Sequence, residues 1–190
     1  MTDKPSYLGL LNAISLAETR AHAYFEAWIA VTPNPDVRRV LQTVSYREGE
    51  HGLAFAKRIN ELGYELIPKD DPHQEQAMER ASSDLPDVEK FRRSGLADID
   101  LSVFDTVFSD HTIDIQTGAL LGRYVAEEFD SVRRLRACYE ALAAAETVRP
   151  DDRVDALAAQ VDELCRSVEE LQCAIGASPN GSQEQKRARR

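Results

Sequence analysis

Apolar residues recur at steps of three and four over most of this chain, the period of amphipathic helices rather than strands. Residues 6–31 carry such a stripe at Leu11, Ile14, Ala21, Phe25, Trp28 and Ile29, and Thr32-Pro33-Asn34-Pro35 stops it. Asn34 is then a suitable N-cap, with Pro35 at the first helical position, where its missing N–H costs nothing. A second stripe follows at Val37, Val40, Leu41, Val44, Phe55, Ile59 and Leu62, and Gly63 stands where a left-handed C-terminal cap is expected. So short a connection predicts two antiparallel helices packed side by side.

The pattern breaks over 64–112, where Pro68, Pro72, Pro86 and the run Lys69-Asp70-Asp71 interrupt it. Short helices are expected near 73–82, 86–94 and 101–109. A long helix returns from Asp114 to Ala145, with its stripe at Leu121, Tyr124, Val125, Val132, Leu135, Tyr139 and Leu142. After Thr147-Val148-Arg149-Pro150 the period tightens. Val154, Leu157, Val161, Leu164, Val168, Leu171 and Ile175 follow one another at alternating steps of three and four. This is a heptad repeat with β-branched residues at every a position and Leu at every d, a choice that favours parallel two-stranded coils. It predicts a homodimer through residues 154–175; the other reading is an amphipathic helix folded back on the bundle. Gly176 closes the segment, and the polar residues 177–190 read as a disordered tail.

Composition narrows the function. Asp and Glu outnumber Lys and Arg by 33 to 23, a net charge of −10, which argues against a nucleic-acid partner. No apolar run is long enough for a membrane span, and the start of the chain has no secretory pattern. The three cysteines, Cys138, Cys165 and Cys173, form no Cys-x-x-Cys pair. That rules out a zinc ribbon or a thioredoxin motif and fits a reducing, cytoplasmic setting.

The chemistry lies in polar residues that interrupt the apolar stripes. Glu18 falls between Ile14 and Ala21 on the first helix; Glu48 and His51 fall between Val44 and Phe55 on the second. A lone carboxylate buried between helices costs several kcal/mol or must protonate, and a metal ion offsets that cost directly. Glu48-Gly49-Glu50-His51 is a Glu-x-x-His step, which puts a carboxylate and an imidazole on one helical face. Such a step is common by chance. It gains weight because Glu18 and Glu48 stand about four turns from the same reversal and so at similar height. On the third long helix Glu128 also lies in the stripe. Glu127 and Asp130 read as a solvated acidic face answering Arg133, Arg134 and Arg136.

The stretches LLNAISLAETRAHAYF, with Glu18, and SYREGEHG, with Glu48 and His51, resemble the ferritin-like superfamily, rubrerythrin and bacterial ferritin-like proteins in particular, over about residues 6–145. The resemblance implies an all-α, antiparallel helical bundle holding two irons, with one Glu from each of two helices and a Glu-x-x-His from each of the other two. Glu18 matches the first Glu, Glu48 and His51 the first Glu-x-x-His, and Glu128 the Glu of the second pair, where Ser131 stands in place of His. No Glu sits on a long third helix, which is degenerate here; Glu89 is the nearest candidate.

The metal ligands expected are therefore Glu18, Glu48, His51 and Glu128, for one or two iron ions, or manganese. The site is completed within one chain or shared across a dimer. The implied activity is oxidation of Fe(II) or of a small substrate by O₂ or peroxide, without the cysteines of a rubredoxin relay. The alternative is a metal-free helical scaffold or dimerisation module. The expected organisation is a bundle over 1–147, a coiled-coil helix over 148–176 and a tail over 177–190.

Overall fold

A computed structural model describes residues 4–96, 98–147 and 157–168. All the regular structure among them is helical: α1 (Leu8–Val31), α2 (Pro35–Glu61), α3 (Gln74–Ser82), α4 (Asp87–Ser94), a 3₁₀ helix (Leu101–Thr106) and α5 (Ile115–Thr147), with a further helical stretch over 157–168. The chain divides into two units, Met1–Ala144 and Ala145–Arg190.

The helix ends follow from local chemistry. Asn34 Oδ1 accepts from the backbone N–H of Asp36 at 2.9 Å and of Val37 at 3.4 Å, with Pro35 opening α2. Gly63 takes φ +82°. Its N–H donates to Asn60 O and that of Tyr64 to Ile59 O, the paired bonds of a Schellman cap. Asp114 starts α5 by accepting from the N–H of Gln116 and Thr117. The expected helix over 101–109 is instead a single 3₁₀ segment ending at Thr106. It is begun by Asp100 accepting from Ser102 N–H, and none of its residues is buried, so no buried face extends it into an α-helix.

Two apolar clusters hold the first unit together. One gathers Leu11 and Ile14 of α1, Phe55 and Ile59 of α2 and Leu121 and Tyr124 of α5. The other gathers Phe25 and Trp28 of α1, Val37, Leu41 and Val44 of α2 and Leu135 of α5. α1 and α5 therefore run from the first cluster to the second, and α2 runs back. The tightest pairing of elements is α1 with α2. At Gly52 a Cβ would lie 2.7 Å from Thr19 Oγ1 and 3.2 Å from its backbone N, so only glycine permits this approach.

No fourth long helix completes the bundle among the described residues. Ala81 of α3 and Phe91 of α4 fill the second cluster, while Phe104 and Val107 pack on the first. Asp87 fastens this stretch to α1, accepting from Trp28 Nε1 and Thr32 Oγ1, each at 2.7 Å.

In the helical stretch over 157–168 every residue is exposed, including Leu157, Val161, Leu164 and Val168. The remainder of the predicted heptad segment, 148–156 and 169–176, and the tail over 177–190 lie outside the described residues. No described helix is long and apolar enough to cross a membrane.

Candidate metal centre

Between the two apolar clusters each long helix turns a polar residue inward: Glu18 from α1, Glu48 and His51 from α2, Glu128 from α5. Each offers one ligand atom, and these atoms all lie within 4.8 Å of one another. Glu18, Glu48 and His51 are buried, between 3 and 5 % exposed. All four sequence-predicted ligands thus come together within one chain. Glu89 does not join them; it pairs with Arg92 and Arg93 on its own helix.

The orientation of His51 is decided by its far side. Its Nε2 meets Glu127 Oε2 at 2.7 Å, which favours a proton on Nε2 and turns Nδ1 inward, where it can carry a proton or offer its lone pair to a metal. That Nδ1 stands 3.3 Å from Glu128 Oε1 and 3.7 Å from Glu18 Oε2. All three atoms are buried without a hydrogen-bond partner. Buried polar atoms are nearly always satisfied, so three such atoms converging from three helices mark a place for a positive charge: a proton on His51 in the metal-free chain, or a metal ion. The other oxygen of Glu18 is held: Tyr124 Oη donates to Glu18 Oε1 at 2.9 Å, and the Tyr124 ring packs edge-on against His51.

Protonation reflects the crowding. Burial, followed by the hydrogen bond and charge of Glu18, pushes the Glu48 carboxyl up to about 11. Glu18 is held below its ordinary value: burial would raise it, but bonds from His51, Glu48 and Tyr124 prevail. Burial raises Glu128. Burial also disfavours the charged form of His51, yet Glu128, Glu18 and Glu127 outweigh it and push the imidazole up to about 10. At neutral pH, then, Glu48 and His51 each hold a proton in the metal-free chain.

Three neighbours of the centre were not expected from sequence. Glu127, read there as part of a solvated face, bridges His51 to Arg123, whose Nε donates to it at 2.9 Å. It is therefore the residue that orients the histidine, and Glu128 is not the only carboxylate of α5 to reach this region. Tyr124 read only as a core position, although its place four residues before Glu128 puts both on one face. Arg47 carried no signal: it projects to α5 and donates to Asp130 Oδ2 at 2.8 Å and Ser131 Oγ at 3.4 Å. Asp130 keeps the surface role expected of it, pairing with Arg133 and Arg134.

Three carboxylate oxygens and one imidazole nitrogen form a donor set suited to iron(II) or manganese(II) rather than to metals that favour thiolates. Cys138 packs elsewhere, against the second apolar cluster. Comparison with protein-family models, with curated proteins and with solved structures finds no match to this chain.

Proposed function

We propose that this chain is a ferritin-like, non-haem metal protein that binds iron, or manganese in its place, through Glu18, Glu48, His51 and Glu128. The observation that carries the reading is the convergence of Glu18 Oε2, His51 Nδ1 and Glu128 Oε1, all buried, from three helices. A metal-free scaffold, the alternative, gains little stability from this arrangement, because replacing such groups by apolar residues is often neutral or stabilising. When bound, such a metal supplies a redox-active Lewis acid for oxidation by O₂ or peroxide. The protein's own residues do the rest. Glu127 holds the His51 ring with Nδ1 inward, Tyr124 fixes one oxygen of Glu18 and leaves the other free, and the apolar clusters on either side keep water from competing for the ligands.

The test is elemental analysis of full-length protein reconstituted with Fe(II) or Mn(II) and freed of loose metal. Wild type should retain metal and Glu48→Ala should lose most of it. Equal loading of the two proteins would contradict the assignment.

The second part of the proposal concerns the partner. The helix over 157–168 carries Leu157, Val161, Leu164 and Val168 uncovered on one face, and a single short helix is marginal in water. A second copy of the same segment is the occupant that suits it. By sequence the e and g positions beside the stripe are Ala158, Gln160, Cys165 and Ser167, all uncharged, while Asp162, Glu163 and Arg166 fall at b, c and f. Two acidic chains therefore meet along the seam without facing like charges.

A further inference from the structure

Arg47 of α2 reaches α5 beside the centre, and it does not point to open solvent. Its side chain is 24 % exposed; Nη1 lies 2.8 Å from Asp130 Oδ2 and 3.4 Å from Ser131 Oγ. Ser131 is buried, 1 % exposed, and stands one helical turn after Glu128, the position from which a second imidazole would reach a second ion.

We propose that Arg47 is the resident second cation of this centre: its guanidinium fills the Ser131 side of the cluster, so the site takes one divalent ion per chain rather than two. The inference rests on the metal-centre reading above and sharpens it.

Charge balance supports it. Fully ionised, Glu18, Glu48 and Glu128 bring three negative charges to the cluster. One divalent ion and one guanidinium cancel them, with His51 neutral as a ligand. A second divalent ion would leave two positive charges in excess in a buried space, which is costly. The surroundings are already balanced. Glu127 and Glu50 are answered by Arg123 and Asp130, which holds Arg47 in place, by Arg133 and Arg134 on the solvent side, three acids to three bases. The ligand count agrees: four donor atoms from four residues complete most of one coordination sphere and leave too few for two. Arg is suited to the role because a guanidinium is a permanent cation with several donors, and Nη1 here serves both a carboxylate and a hydroxyl.

The experiment is equilibrium dialysis of full-length protein against Mn(II), with manganese per chain read by elemental analysis. Five proteins are compared: wild type, Arg47→Gln, Ser131→His, Arg47→Gln/Ser131→His and Arg47→Lys/Ser131→His. Helix content by circular dichroism verifies that each is folded. Wild type should hold one ion. Arg47→Gln should hold one, several-fold more tightly, because a like charge is gone. Ser131→His alone should still hold one, because Arg47 remains. The Arg47→Gln/Ser131→His protein should hold two, and restoring the charge with Lys should return the count to one. Two ions in wild type, or two in Ser131→His with Arg47 in place, would overturn the inference. So would a single ion in the folded Arg47→Gln/Ser131→His protein, or loss of the ion in Arg47→Gln. No manganese in wild type would instead overturn the metal-centre reading itself, and this inference with it.

Discussion

Between α1, α2 and α5 four ionisable groups lie inside an apolar bundle, whereas along residues 157–168 four apolar side chains lie on the outside of a helix. Each arrangement goes against the ordinary placement of its residues, and for opposite reasons. The centre gives up desolvation energy to gather charge that protein groups alone leave unsatisfied. The helix leaves apolar area in water that its own residues do not cover. We propose a small cation for the first and a large complementary surface for the second. In the proposed reading the two share a logic: each set of side chains is completed by something other than the chain's own groups.

The largest expected effect is on the outward stripe. Leu164→Asp removes a buried Leu from each chain of the proposed dimer, at about 2 kcal/mol or more apiece. That should raise the dissociation constant on the order of a thousandfold. Sedimentation should show the variant as a monomer with its metal content unchanged. A dimer that survives would move the interface elsewhere, and a monomeric wild type would refute pairing through the stripe altogether.

Next comes the support of the histidine. Glu127→Ala frees the His51 ring without removing a ligand, and should weaken metal binding about 10–100-fold, the usual cost of losing such an outer partner. Unchanged affinity in a competition titration would mean that Glu127 serves only its surface pair with Arg123.

A smaller effect of opposite sign should follow in the metal-free protein. Glu48→Met keeps roughly the same volume and removes the carboxyl most strongly pushed toward its neutral form. Thermal unfolding should show the metal-free variant more stable by about 1–4 kcal/mol, while its metal binding is lost. Destabilisation would show that Glu48 is well satisfied without an ion, and the contrast between the two regions would fail.

Much of this was legible in the sequence because it depends on period and punctuation. The stripe, Asn34, Pro35 and Gly63 bound α2 through effects confined to a turn or two, and the structure follows them. Glu18, Glu48, His51 and Glu128 could be picked out because each interrupts an apolar stripe at helical spacing. Glu127 could not. It lies one residue off the stripe, and only the reach of an imidazole from the facing helix makes it matter. Arg47 was hidden for the same reason, since its partners Asp130 and Ser131 are more than eighty residues away. The stretch over 64–112 was read correctly as broken, but the shortness of the 3₁₀ turn depends on what it packs against, which no local period records. Over 157–168 the heptad signal is plain in the sequence, and the structure shows a helix there with its apolar residues exposed.

We propose that two protons in the metal-free centre hold the place of one divalent ion. Glu48 and His51 carry them, pushed up to about 11 and about 10, so binding below that range must expel both, and affinity must rise with pH until they are gone. Calorimetric titration of metal-free protein with Mn(II) near neutral pH, repeated in two buffers of different ionisation enthalpy, measures this directly. The account predicts one ion bound per chain with the release of about two protons. Absence of binding, or binding that releases none, would contradict it.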